Sequence, residues 1–259
     1  MKEDVELHYE AIGQGSPLVL IHGWGGDWSN NLFQIPLAYH YRLILPDLRG
    51  HGRSPKPQTE CTAEILATDV NRLLEKLDVE KAIVCGRSLG GMVALQLALD
   101  YPQKVEALIL VNTASTASAA GELFDELISL LSAPNPVETL GGMMSSLPAF
   151  IEVSKSPIGS MFIEAILEGL EQLEPKALIE LTRGMKRFDV TDRLSEIEIP
   201  TLIVGAAQDS ATPVVFSEEM HKRIAGSEYA IIDAEHALAI IRPDEFNKLV
   251  RNFLKKIGH

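Results

Sequence analysis

The chain has 259 residues, 46% hydrophobic and 23% charged, ordinary values for a soluble globular protein and enough length for one large α/β unit with an inserted subdomain. Its 23 basic against 36 acidic residues leave a formal charge of −13, which disfavours nucleic acid as a partner and, through repulsion from anionic headgroups, a membrane surface. No stretch approaches the 18 apolar residues of a bilayer span, the charged start Met1-Lys2-Glu3-Asp4 lacks a signal-peptide core, and two cysteines make no disulfide framework, so a cytoplasmic protein is the expectation.

In chain order, Val5–Glu10 alternates as an antiparallel edge strand would. Leu18–Ile21, Arg42–Leu45, Ala82–Cys85 and Ala107–Val111 are short, mainly apolar runs without alternation, the pattern of strands buried on both faces of a parallel sheet. Between them, Ala63–Leu77 sets Ile65, Leu66, Val70, Leu73, Leu74 and Leu77 at helical spacing, with Cys61 at the helix start. Leu89–Leu99 reads as a second helix that stops before Tyr101-Pro102. Strand–helix–strand repetition predicts a parallel sheet with right-handed crossovers. From Thr113 to Asp192 the pattern changes to helical segments at Glu122–Leu131, Pro136–Val153, Met161–Leu173 and Pro175–Phe188. Strands return at Thr201–Val204 and Tyr229–Ile232, and an amphipathic helix over Asp244–Ile257 closes the chain. The organisation expected is a core of residues 1–112 and 193–259, a mostly parallel sheet with helices on both faces, and a helical lid of residues 113–192 over one sheet edge.

The segment Gly86-Arg87-Ser88-Leu89-Gly90-Gly91 carries the chemistry. It follows a buried strand and opens a helix, the setting of a nucleophile elbow. A sharp strand-to-helix turn strains the backbone at the serine, so small residues must flank it, and it holds the hydroxyl at the positive end of a helix. GxSxG alone is weak evidence; between this strand and this helix it is specific.

With that elbow in place, the chain resembles the α/β-hydrolase superfamily in its compact, lid-bearing branch, over essentially its whole length. His22-Gly23-Trp24-Gly25-Gly26 resembles the HGxG loop of the oxyanion hole, and Asp47-Leu48-Arg49-Gly50-His51-Gly52-Arg53-Ser54 the DxxGxGxS segment. Gly205 to Pro213 resembles the loop bearing the catalytic acid, and His236 falls where the catalytic histidine belongs. The resemblance implies Ser88 as nucleophile, His236 as base and Asp209 as the acid that orients it, in the chain order this fold uses. The residues agree, since each follows a strand whose carboxyl end faces the same sheet edge. Backbone N–H groups of Trp24 and Leu89 would bind the oxyanion. Asp233, Asp189 and Asp192 compete with Asp209 but sit less well along the chain. Asp47 reads as structural, and His22 and His51 as residues that shape glycine-rich loops. Glu235 departs from the small residue usual before the catalytic histidine, which leaves that loop less defined; its carboxylate is expected to face solvent.

A serine nucleophile implies acyl chemistry without metal or organic cofactor. The expected activity is a carboxylesterase acting on a small-molecule ester. Alternatives on the same residues are a C–C bond hydrolase or enol-lactonase and a cofactor-free haloperoxidase or perhydrolase. A ligand-binding receptor on this fold is the non-enzyme alternative. Within the helical segment, Leu123, Phe124, Leu127, Leu130, Leu131, Met143, Met144, Leu147, Phe150, Met161, Phe162 and Met185 include the candidates for an apolar pocket, with Trp24, Met143, Met144 and Phe162 foremost. Packing of helices onto the body is the simpler expectation for any one of them. Arg87 can border the pocket and bind a substrate carboxylate; a structural ion pair with one of the acidic residues is the simpler expectation there. Oligomeric state is not legible in the sequence.

Overall fold

Runs such as Leu18–Ile21 have no polar face to present to water, so their strands need cover on both sides. A computed structural model, which describes residues 5–146, 148–155, 157–171 and 174–259, provides it with one seven-stranded sheet. The strands are β1 (Tyr9–Ile12), β2 (Ser16–Ile21), β3 (Tyr41–Pro46), β4 (Ala82–Arg87), β5 (Val105–Val111), β6 (Thr201–Ala206) and β7 (Glu228–Ile232). They lie in the order β1-β3-β2-β4-β5-β6-β7, all parallel except β1, which pairs antiparallel with β3.

Helices α1 (Ala63–Lys76) and α2 (Leu89–Asp100) connect strands. Then α3 (Gly121–Leu131), α4 (Pro136–Ser145), α5 (Pro148–Val153), α6 (Pro157–Glu171) and α7 (Pro175–Met185) all fall between β5 and β6. Helices α8 (Val214–Arg223), α9 (Leu238–Ile241) and α10 (Pro243–Lys256) complete the chain.

Because side chains alternate along a strand, each run feeds two cores. Val19, Ile21, Ile44, Val84 and Leu108 pack with Leu66, Val70 and Leu74 of α1 and Val93 of α2. Leu18, Leu20, Leu43, Ile83, Cys85 and Ile109 pack with Phe246, Val250 and Phe253 of α10. The same second layer includes Leu37, from a 3-10 helix over Trp28–Tyr39 that the sequence patterning does not reveal. Cys61 and Cys85 are both buried and unbridged, and burial pushes each thiol up to about 12.

Two boundaries differ from expectation. Pairing in β1 starts only at Tyr9, because the N–H of His8 is diverted from the ladder. It donates to Ser54 Oγ at 2.9 Å, and that hydroxyl donates to Asp47 O at 2.6 Å, so a serine from the loop after β3 stands in the rung that His8 N–H would make, while Asp47 N–H still donates to His8 O at 2.9 Å. The segment Pro136–Val153 forms two helices, α4 and α5, since Pro148 has no N–H to continue the first. Leu147 lies outside the described residues.

The helical block is joined to the sheet at a narrow neck. Thr116 and Asp189 form a β-bridge, flanked by Ala117 N–H to Phe188 O at 2.7 Å and Val190 N–H to Ser115 O at 2.8 Å. Among the described residues no helix is long and apolar enough to cross a membrane.

Candidate active site

β4 ends at Arg87 and α2 begins at Leu89, so Ser88 alone turns the chain. Its φ of 54° and ψ of −122° lie where a residue with a Cβ is strained. The turn is pinned from β5 and the residues after it: Ser88 N–H donates to Val111 O (2.9 Å), and Thr113 Oγ1 donates to Ser88 O (2.7 Å). A Cβ at Gly86 would overlap the Gly90 carbonyl, and one at Gly90 would overlap the carbonyls of Ile21 and His22. That contact is the physical reason for glycine on either side of the serine.

The structure brings Ser88, His236 and Asp209 together from β4, the loop after β7 and the loop after β6. His236 Nε2 lies 3.0 Å from Ser88 Oγ, and its Nδ1 lies 2.8 Å from Asp209 Oδ2. A carboxylate accepts only, so the network assigns the ring proton to Nδ1 and leaves Nε2 bare toward the hydroxyl. Asp209 is held on all sides. Its Oδ1 accepts from the N–H groups of Ala211 (2.9 Å) and Thr212 (2.8 Å). Its Oδ2 accepts from Thr212 Oγ1 (2.8 Å) and Asn112 Nδ2 (2.5 Å) as well as from His236. Burial pushes this carboxyl up, but the hydrogen bonds from His236, Thr212 and Asn112 outweigh it and keep Asp209 below the usual carboxylate range.

The loop after β2 faces the serine from the other side. A Cβ on Gly23 would stand 3.4 Å from Ser88 Cβ. His22 and His51, ring centroids 4.9 Å apart, buttress this loop. His51 Nε2 accepts from Gly25 N–H (3.1 Å) and His22 Nε2 from Leu48 N–H (3.0 Å). Burial holds both imidazoles below the ordinary histidine value, so each stays neutral and keeps a bare nitrogen to accept with. The Trp24 indole donates to Thr182 Oγ1 on α7 at 2.9 Å, linking the loop to the helical block. Among the described residues neither the Trp24 nor the Leu89 backbone N–H has an acceptor. The site therefore combines a hydroxyl, an imidazole in contact with it, a fixed carboxylate, and two N–H groups, unengaged among the described residues, on the loop and turn beside the hydroxyl.

The competing carboxylates lie elsewhere. Asp233 is exposed and accepts from Gln208 Nε2 (2.8 Å), and Asp189 and Asp192 are ion-pair or turn residues near the neck. Asp47 accepts from Trp28 N–H (2.8 Å), Arg53 N–H (2.9 Å) and His8 Nδ1 (2.9 Å), which stitches three segments beneath the site. Among the described residues no three His, Cys, Asp or Glu side chains converge to hold a metal ion.

The apolar candidates divide. Phe162 is buried against Phe33, centroids 4.9 Å apart. It shares a cluster with Ile166, Ile240, Met144 and Ala237, the residue after His236. Met143 departs from expectation: it is 43% exposed, because one residue along a helix turns the side chain about 100° from Met144. Met161, at 69%, is also turned to solvent. Phe124, Leu127 and Met185 join the core beneath the sheet face of α1 and α2. Arg87 overturns its simpler expectation, since among the described residues it makes no ion pair.

Asn112 and Thr212 hold Asp209 in the candidate site, and sequence patterning does not single them out. Asn112 follows β5 in a left-handed conformation (φ 45°), one that asparagine tolerates, but nothing in its neighbours along the chain points to Asp209, 97 residues away.

A family model described as alpha/beta hydrolase fold matches residues 16–243. The 3-oxoadipate enol-lactonase 2 of Acinetobacter baylyi is 28% identical over 99% of this chain and 96% of its own. A solved hydrolase from Pseudomonas aeruginosa is 31% identical with a TM-score of 0.87, covering 96% of this chain and 94% of that one. A thermophilic esterase from Thermogutta terrifontis, solved with malate bound, is 27% identical with a TM-score of 0.84, covering 98% and 95%.

Proposed function

The chain belongs to the alpha/beta hydrolase fold family, and from that premise we propose that it is a serine carboxylesterase cleaving small to medium esters through an acyl-enzyme. The observation that carries the reading is the hydrogen-bonded series Ser88 Oγ, His236, Asp209 beside the unengaged N–H groups of Trp24 and Leu89.

Ser88 Oγ attacks the ester carbonyl while His236 Nε2 takes its proton. The carbonyl oxygen becomes an oxyanion and receives the N–H groups of Trp24 and Leu89, each worth roughly 3–4 kcal/mol of barrier. Asp209 holds the Nδ1–H and stabilises the imidazolium. Collapse of the tetrahedral adduct breaks the ester C–O bond, and the departing alcohol takes the proton from Nε2. Water then repeats the sequence on the acyl-enzyme, with His236 as base, and restores Ser88.

Met144 and Ala237, partly exposed and backed by the buried Phe162, Ile166 and Ile240, supply apolar surface near His236 for the substrate's hydrocarbon, and the block α3–α7 serves as the lid. An esterase among the solved relatives supports this substrate class. The enol-lactonase relative favours a second reading on the same residues, in which the ester is cyclic and the alcohol stays tethered to the product.

The test is a fluorophosphonate probe followed by peptide mapping, then a p-nitrophenyl ester series beside lactones. A single adduct on Ser88, lost in Ser88→Ala, is expected. No adduct on folded protein would refute the reading and leave a ligand-binding role for the same site.

A further inference from the structure

Arg87 sits immediately before Ser88 and is only partly buried. β4 is a central strand, hydrogen-bonded to β2 on one side and β5 on the other. Both faces of the sheet are covered, and Cys85, two residues earlier on the same face as Arg87, is buried in the layer beneath α10. The surface that Arg87 does expose is therefore at the carboxyl edge of the sheet. That edge carries the site: Arg87 is in register with Val111, which accepts the Ser88 N–H. A Cβ on Gly23 would stand 3.5 Å from the Arg87 carbonyl and 3.9 Å from Ser88 Oγ.

The guanidinium there has five donors and no protein acceptor among the described residues, although the chain holds 36 carboxylates. Contrast Arg49, which is buried and forms a two-pronged pair with Asp69 at 2.7 Å on both prongs. Burial lowers the Arg87 guanidinium to about 10, so it still carries its charge at neutral pH. Its field reaches the ring of His22, where it adds to the effect of burial. A partly desolvated cation with no partner among the described residues is costly in a fold, and its rigid planar fork matches a carboxylate.

We propose that Arg87 is an anion anchor at the edge of the active-site cleft, selecting esters or lactones that carry a free carboxylate in the same molecule as the scissile bond. The inference rests on the ester-hydrolase reading above and names its substrate class.

The test uses two anionic probes, with the carboxylate on the acyl side (monoethyl adipate) or on the alcohol side (4-acetoxybutanoate), each followed by pH-stat. Their neutral partners are ethyl hexanoate and butyl acetate. The wild-type protein is expected to prefer at least one anionic ester by kcat/KM, and that preference is expected to fall roughly 10- to 100-fold in Arg87→Met, the scale of a hydrogen-bonded charge contact. Equal losses on anionic and neutral esters, or no anionic preference in the wild type, would overturn the proposal. Thermal melting of Arg87→Met is expected at or above the wild-type temperature, since no ion pair is broken; a marked fall would make Arg87 structural and overturn it as well. Adipate binding by calorimetry in a Ser88→Ala background separates the two levels. If no ester is hydrolysed and Ser88 is not labelled, the hydrolase reading fails. Calorimetry then still decides Arg87: weakening by 10- to 100-fold in Ser88→Ala/Arg87→Met supports the anchor, and no binding or equal binding refutes it.

Discussion

The contact between the Trp24 indole and Thr182 makes the oxyanion loop and the helical block one mechanical unit, and a single isosteric change tests it. Thr182 is fully buried, accepts from Trp24 Nε1 at 2.9 Å, and donates to Leu178 O at 2.6 Å. Thr182→Val keeps the shape and removes the acceptor. The Leu178 carbonyl loses little, because Thr182 N–H is its ordinary helical partner. The indole N–H, in contrast, is left among Leu131, Leu140 and Leu178 without a partner, at a cost of about 1–3 kcal/mol. For a single domain of this size that corresponds to a fall in Tm of roughly 2–6 °C. Activity should suffer in a specific way. Complete loss of one oxyanion donor costs about 10²–10³ in kcat, so a Trp24 backbone that is loosened but present should lose on the order of tenfold. KM should change little, because the oxyanion contact is made only in the transition state. Thr182→Ser retains the hydroxyl and removes one methyl, so it should melt about 1 kcal/mol lower yet keep kcat near wild type. Differential scanning calorimetry and steady-state kinetics on a p-nitrophenyl ester measure both quantities. A valine variant with wild-type kcat, or a serine variant as slow as valine, would refute the coupling.

The strained turn should appear in stability: Ser88→Gly and Ser88→Ala both lose turnover, but glycine relieves φ 54° and should melt higher than alanine by about 1 kcal/mol, the strain less glycine's extra unfolded-state freedom. Equal melting would show that the turn stores no strain. Asn112→Asp sets a second carboxyl where a donor now sits 2.5 Å from Asp209, so the pair must share a proton and its upper pKa rises above the unfolded value. A raised folded pKa means stability that is lost as pH rises through it; the wild-type Asp209, held low, loses stability as pH falls. Urea titrations between pH 5 and 8 should therefore show a pH slope for the variant that is more negative than that of the wild type, and equal slopes would count against the contact. His51, kept neutral chiefly by burial, is protonated more readily when unfolded, so it contributes stability above pH ~6.5 that is lost as pH falls toward its folded value. Replacing it by glutamine, which can still accept from Gly25 N–H, should flatten that acid loss by up to about 1.4 kcal/mol per pH unit. An unchanged slope would place the proton elsewhere.

How much was legible in the sequence follows from which signals are local. Apolar runs without alternation require cover on both faces, and that requirement alone places Leu18–Ile21 and Ala107–Val111 inside a layered parallel sheet. The elbow is local too: glycines at 86 and 90 and a serine between them, at a strand-to-helix junction, describe one turn of backbone. Strand-end placement adds His236 and Asp209, because in a parallel sheet every strand delivers its carboxyl end to the same edge. What side chains do across the fold was not legible. The acceptance of a hydrogen bond from Asn112 by Asp209, the latch between Trp24 and Thr182 over 158 residues, and the lack of an ion partner for Arg87 among the described residues depend on distances between segments that no spacing along the chain encodes. The division of Met143 from Met144 is of the same kind, since helical periodicity gives the angle between them and only packing against Phe162 and Ile240 decides which one faces in. Local backbone geometry and burial demand are properties of a segment, and the sequence by itself determines them; the partner that each polar or apolar side chain meets is a property of the assembled layers, and only the tertiary structure decides it.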